Sequence, residues 1–284
     1  MEIKADYHSH TCYCDGSNTP DEMAKEAYRQ GFTYFGFSGH AFYSHPWEFG
    51  MDEEKYRSYR KEIAELKTRY AGKMYILAGI ELECLGGREL YPGVTADDLE
   101  EHMRPEYAIG SCHCIEKNGE YVMVDTSDDM LTDAVNRLWN GDWYALTRDY
   151  YETEGKVLEK TGAGIIGHFD LIAKFNQDYC HFNESSDEYL EPALFAMKKL
   201  NRAGVPFEIN TGAISRGYRK EPYPSEILLK ELKAMGGKIM INSDSHSVNG
   251  IGFQREEAKK LAWKCGFRKV SVLNPWGIME EIEL

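Results

Sequence analysis

Short runs rich in β-branched and aromatic residues recur along the chain at Ile3 to Tyr7, Thr33 to Phe37, Met74 to Ile80, Tyr107 to Ser111, Gly164 to Gly167, Pro206 to Ile209, Lys238 to Ile241 and Lys269 to Leu273. Runs of this length and composition predict buried strands. Between most of them lie helical stretches: Thr19 to Gln30, Asp52 to Tyr70, Glu184 to Arg202, Ser225 to Met235 and Gln254 to Cys265. Strand alternating with helix predicts an α/β fold built on a parallel sheet or barrel. Boundary chemistry agrees with this division. Thr19 caps the helix that Pro20 opens, Glu22 completes a capping box, and Gly31 ends it. Gly204 and Gly236 punctuate two later helices in the same way.

The longest connection, Glu116 to Asp129 followed by the aromatic helical stretch Met130 to Lys160, exceeds an ordinary crossover. It predicts an insertion at about 115–162, either an ordinary helical layer with an aromatic core or a cover over one end of the barrel. No linker-like tract or internal repeat divides the 284 residues, a length that suits one α/β barrel, so residues 1–284 are expected to form one domain.

With 33 basic and 47 acidic residues the net charge is −14, which disfavours nucleic acid and anionic membrane as partners. An anionic substrate would need local cations. No apolar run reaches the roughly 20 residues of a membrane span, and the first residues lack a signal-peptide pattern, so a cytoplasmic protein is expected. The seven cysteines are an odd number, and a disulfide framework is not expected. The pairs Cys12/Cys14 and Cys112/Cys114 leave one residue between thiols, too few for the usual structural zinc spacing, and Cys112 and Cys114 read as small buried side chains.

Histidines and carboxylates fall at the carboxyl ends of the predicted strands. His8 and His10 follow the first run, His40 the second, Glu81 the third, His113 the fourth, His168 the fifth, and Asp244 and His246 the seventh. That end of an α/β barrel is where active sites are built. Alternate residues of an extended segment face one way, so His8 and His10 can chelate one cation, and Asp15-Gly16 adds an oxygen donor on a turn. Ser243-Asp244-Ser245-His246 repeats the pattern with mixed donors. Six histidines, Asp15, Glu81 and Asp244 are too many for one cation, which implies two or three divalent ions with Glu81 bridging. Such a cluster offsets negative charge, attracts phosphate and holds water as hydroxide near neutral pH, the equipment of phosphoester hydrolysis. Zinc, iron and manganese all suit these donors. His45, His102 and His181 belong to no motif, although His45 shares a loop with His40. Trp47 and Phe49, in the loop after His40, either line the pocket or pack on the insertion.

These residues resemble the polymerase and histidinol phosphatase (PHP) family, and within it the histidinol-phosphatase branch. The carriers are Asp6-Tyr7-His8-Ser9-His10 with Asp15-Gly16, Phe37-Ser38-Gly39-His40, Gly79-Ile80-Glu81, Gly110-Ser111-Cys112-His113, Gly167-His168-Phe169-Asp170, Glu208-Ile209-Asn210-Thr211-Gly212, Glu221-Pro222-Tyr223-Pro224-Ser225 and Asn242-Ser243-Asp244-Ser245-His246. The resemblance implies a distorted (β/α)7 barrel, which demotes the eighth run, Lys269 to Leu273. It implies a first metal on His8, His10, Glu81 and Asp244, a second on Glu81, His113 and His168, and a third on Asp15, His40 and His246. The implied reaction is hydrolysis of L-histidinol phosphate by a hydroxide held between metals, with His246 or a water on Asp15 protonating the leaving group.

For the substrate, Arg216 or Arg219 is expected to clamp the phosphate, with Lys174 beside the position where the branch often carries an Arg and this chain has Ala173. The expected partner is a small phosphorylated molecule, and homo-oligomerisation is left open. Four other readings compete, the first being a phosphoesterase of the same family that acts on another small phosphate ester, nucleotide-derived ones included. An amidohydrolase-like barrel would cleave C–N bonds, but no lysine follows the third or fourth strand to serve as its carboxylated ligand. A nuclease of the same family conflicts with the acidic charge. A non-catalytic binding protein conflicts with the complete donor set.

Overall fold

In the computed structural model, which describes residues 3–41, 49–84 and 104–284, the chain runs β1 (Ala5–Asp6), α1 (Pro20–Arg29), β2 (Tyr34–Phe37), α2 (Glu53–Tyr70), β3 (Tyr75–Glu83), β4 (Tyr107–Ser111), β5 (Cys114–Lys117) and β6 (Glu120–Met123). Helices Asp128–Leu138, Trp143–Glu154 and Val157–Thr161 follow, then β7 (Ile165–Ile166), helix Asp187–Asn201, β8 (Phe207–Asn210), helix Glu226–Ala234, β9 (Ile239–Asn242), helix Arg255–Lys264, β10 (Lys269–Leu273) and β11 (Met279–Glu283). The predicted capping box is present, with the Thr19 hydroxyl accepting from the Glu22 amide.

Seven strands pair in parallel in the order β1-β2-β3-β4-β7-β8-β9. The two edges nearly meet. Ser9 bridges Ser245, the Tyr7 amide donates to Asn242 Oδ1 at 3.0 Å, and the Ser243 amide donates to Asp6 Oδ1 at 3.1 Å. The result is a nearly closed seven-stranded α/β barrel, as expected. Side chains fill its interior: the buried Tyr107 ring lies where Cβ atoms on Gly36 and Gly79 would collide with it, and its hydroxyl lies 2.6 Å from the Tyr7 carbonyl. Each such buried aromatic contributes roughly 1.5–3 kcal/mol of burial free energy.

Lys269 to Leu273 is a strand, but it pairs antiparallel with β11 outside the barrel. It braces the interior through Tyr7, whose hydroxyl donates to the Leu273 carbonyl at 2.7 Å and accepts from the Leu273 amide at 3.0 Å. The long connection contains an antiparallel hairpin, β5–β6, before its helices. Its buried Trp139, Leu146, Tyr150 and Tyr151 share one apolar cluster with Phe169, Tyr189 and Phe207, so the stretch is a helical layer on the barrel wall. No helix among the described residues is long and apolar enough to cross a membrane.

Candidate metal centre

Glu81, near the end of β3, stands at the centre of the barrel mouth with its side chain 1% exposed. Its two oxygens face different sets of imidazoles. Oε2 lies 3.2 Å from His8 Nε2, 3.4 Å from His10 Nε2 and 3.1 Å from His40 Nδ1. Oε1 lies 3.1 Å from His168 Nε2 and 3.5 Å from His113 Nε2, and accepts a 2.6 Å hydrogen bond from the Ser111 hydroxyl. Gly167 makes that bond possible, since a Cβ there would meet Ser111 Oγ at 2.2 Å. Asp244 joins the Oε2 side, its Oδ1 3.4 Å from His10 Nε2 and 3.7 Å from His8 Nε2. Asp244 has a left-handed backbone (φ 49°), a conformation that Asp tolerates better than most residues.

Two of these imidazoles are held from behind by carboxylates that the sequence analysis did not assign to the site. His8 Nδ1 lies 2.9 Å from Glu208 Oε2, and His113 Nδ1 lies 2.9 Å from Glu83 Oε2. Glu208 also accepts from the His168 amide and from the side-chain amides of Asn210 and Asn242. A carboxylate behind a histidine fixes the ring and keeps the inward nitrogen available as a donor.

Toward solvent lies a more open group. Asp15, with its side chain 32% exposed, places Oδ2 3.2 Å from His246 Nε2 and 3.6 Å from His40 Nε2, and Oδ1 3.4 Å from His10 Nδ1. The turn that presents it needs Gly16, where a Cβ would press on the Thr11 amide nitrogen at 2.5 Å. Among the described residues three sets of potential metal donors result: His8, His10 and Glu81; His40, Glu81 and His113; and His10, Asp15, His40 and His246. His40 therefore stands between the buried group and the rim, and His10 is shared.

The three cations proposed for substrate have different surroundings. Arg216 is at the mouth, its Nη2 donating to Asp244 Oδ2 at 3.0 Å and its Nη1 2.8 Å from His246 Nδ1. Arg219 is buried in a fork on Glu184 at 2.9 and 3.0 Å. Lys174 donates to the Asp125 carbonyl at 2.6 Å, under the Tyr218 ring. The ring of Phe49 packs 5.0 Å from that of His40, and His181 stacks on Trp143 away from the centre. His45, Trp47 and His102 lie outside the described residues.

Burial opposes charge on Glu81, Asp244, His8 and His113, yet neighbouring charges offset it at each of them. Burial raises Glu81, but His8, His40 and His113 bring its pKa well below the usual carboxylate value. Burial likewise raises Asp244, and Arg216 and His8 more than reverse it. Burial lowers His8, while Glu208, Glu81 and Asp244 hold it well above the usual imidazole value. His113, with burial outweighed by Glu81 and Glu83, sits at about 9. A divalent cation would supply the same neutralisation and displace imidazole protons. The geometry fits one. His8 Nε2, His10 Nε2 and Glu81 Oε2 are buried without a hydrogen bond, although both nitrogens are 3.2–3.4 Å from the oxygen. Donors about 2.1 Å from a tetrahedral ion are about 3.4 Å apart.

Comparison with known proteins places this geometry in context. A histidinol-phosphatase of Bacillus subtilis is 24% identical over 89% of this chain and 97% of its own length. A protein of Schizosaccharomyces pombe named "probable histidinol-phosphatase" is 26% identical over 96% of this chain and 90% of its own. The solved structure of histidinol phosphate phosphatase from Lactococcus lactis, complexed with zinc, L-histidinol and phosphate, superposes with a TM-score of 0.68 at 21% identity, covering 96% of this chain and 97% of that one. The PHP domain model matches residues 6–212, the span that carries every central donor except Asp244 and His246, and the chain belongs to the PHP domain family.

Proposed function

We infer that this protein is a metal-dependent phosphatase that hydrolyses L-histidinol phosphate to L-histidinol and phosphate in histidine biosynthesis. The observation that carries the reading is the division of Glu81 between two sets of imidazoles, His8 and His10 on one oxygen and His113 and His168 on the other, beside an arginine at the mouth. The named histidinol-phosphatases align over nearly their whole length, which supports the substrate.

In this reading His8, His10, Glu81 and Asp244 hold one ion, Glu81, His113 and His168 a second, and Asp15, His246 and His40 through Nε2 a third. The zinc in the Lactococcus lactis structure makes zinc the first ion to test. Bound divalent ions supply a nucleophilic water at neutral pH and charge neutralisation for phosphoryl oxygens. The chain's own residues do the rest. Glu208 and Glu83 aim His8 and His113, Arg216 swings from Asp244 to take a phosphoryl oxygen, and His246 or a water held by Asp15 protonates the leaving oxygen. Arg219 and Lys174, each paired within the protein, support the loops around that site. Residues 1–284 act as one barrel domain elaborated at 115–162, working in the cytoplasm.

The test is steady-state phosphate release from L-histidinol phosphate beside sugar, nucleotide and amino-alcohol phosphates, with metal content measured on the same preparation. A preference of 100-fold or more, about 2.7 kcal/mol at the transition state, is expected. Equal or faster turnover of another ester would overturn the substrate assignment.

A further inference from the structure

Two histidines at the centre are steadied by a carboxylate at the nitrogen facing away from it, His8 by Glu208 and His113 by Glu83. His10 is arranged differently. The oxygen nearest its Nδ1, Asp15 Oδ1 at 3.4 Å, belongs to a carboxylate that also serves His246 and His40. The other neighbour of Nδ1 is a thiol: Cys14 Sγ lies 3.6 Å away and is itself 3.5 Å from the Thr11 carbonyl oxygen.

We propose that Cys14 is a positioning residue for His10, accepting Nδ1–H at sulfur and donating its S–H to the Thr11 carbonyl. Each proton is used once along this path. The Nδ1–H tautomer leaves the lone pair of Nε2 pointing at Glu81 Oε2 and Asp244 Oδ1, each 3.4 Å away, where a metal ligand needs it. The inference rests on the reading of His10 as a metal ligand.

Local structure fixes the sulfur in place. A tight turn, in which the amides of Cys14 and Gly16 both donate to the Thr11 carbonyl at 3.0 Å, folds residue 14 back over His10. The loop after β2 closes the far side, where a Cβ on Gly39 would sit 3.3 Å from the sulfur and 3.1 Å from Met51 Cε. Sulfur also suits the span. A hydroxyl oxygen needs an approach of about 2.9 Å to accept from N–H, so serine would bridge 3.6 Å poorly without movement of the turn. Because sulfur is a weak acceptor, the effect belongs at the lower end of the 10- to 100-fold range typical of partners behind metal ligands.

The experiment uses the zinc-loaded protein and follows transfer of Zn²⁺ to a chromophoric chelator, with ions per chain and thermal stability measured alongside. His10→Ala is expected to lose the ion of the buried group outright. Cys14→Ala is expected to keep it but release it about 10-fold faster, with Cys14→Ser falling between it and the unsubstituted protein. If Cys14→Ala is too unstable to purify, Gly39→Ala, which crowds the sulfur, is expected to accelerate release in its place. Release at the unsubstituted rate in the Cys14 variants, with the ion lost in His10→Ala, would overturn the role of Cys14 alone. Retention of the ion in His10→Ala would overturn the ligand reading and this inference with it.

Discussion

The floor of the barrel mouth and its rim use the same residue types under different constraints. On the floor, His8, Glu81, His113 and His168 are nearly sealed from water, and Glu208 and Glu83 lock two of the three rings. On the rim, the side chains of Asp15, His246 and Arg216 are 25–32% exposed and exchange contacts among themselves. The difference teaches how one cluster can both hold ions and turn over substrate. A floor with preorganised donors would retain bound ions, because the reorganisation is already built into the fold, whereas a rim whose Arg216 is paired, among the described residues, with Asp244 and His246 would rearrange around an arriving phosphate.

The largest effect is expected from the residue both floor groups share. Glu81→Gln keeps the shape but removes the charge and one acceptor oxygen, stranding five imidazoles around a neutral amide. Loss of at least one ion per chain and a fall in kcat/KM of about 10³-fold or more, roughly 4 kcal/mol, is expected from metal analysis and steady-state kinetics. Normal metal content with near-normal turnover would break the assignment of Glu81 as the bridge.

A smaller effect should follow from the rim. Asp15→Asn is expected to remove one ion while leaving the floor ions bound, and to lower kcat by about 10- to 100-fold. A mild chelator should act on the unsubstituted protein in the same order, taking one ion quickly and the others slowly. Loss of all ions together in either experiment would show that floor and rim are one cooperative unit.

Much of this centre was legible before folding, for a physical reason. A parallel barrel delivers the end of every strand to one mouth, so His8, His10, His40, Glu81, His113, His168, Asp244 and His246 could be grouped by counting strand ends. Glu83 was also within reach, because it shares a strand face with Glu81 two residues earlier. Glu208 was harder: it lies in the middle of the Phe207–Asn210 run, and only closure of β9 against β1 shows that it stands behind His8. The β5–β6 hairpin was missed because its strands carry Glu116, Lys117 and Glu120 instead of a long apolar run. Its turn, Asn118-Gly119 with φ of 55° and 80°, was the available signal. β10 shows the converse, since an apolar run does not state whether its partner is parallel. Arg216 and Arg219 share one loop, and the partner that buries Arg219, Glu184, lies 35 residues away in sequence where no local pattern links them.

The smallest effect separates burial from partnership. Glu154 is buried in the layer behind β3, near Cys84 and Glu83, and its Oε1 has no hydrogen-bond partner. Burial raises its pKa well above 4.5, with Cys84, Glu83 and Asp170 adding to the rise, whereas Glu81, equally buried but ringed by imidazoles, is driven the other way. The folded protein thus retains a proton on Glu154 that the unfolded chain releases near 4.5. Stability from this group is fully present below that pH and falls as pH rises toward the folded pKa, at a limiting slope of about 1.4 kcal/mol per pH unit. Glu154→Gln keeps the neutral shape and should remove that slope, leaving stability unchanged in acid and raised at neutral and alkaline pH, as read by denaturant unfolding at several pH values. An unchanged slope in Glu154→Gln would mean that water or a neighbouring donor reaches this carboxyl, and that burial alone does not set it apart from Glu81.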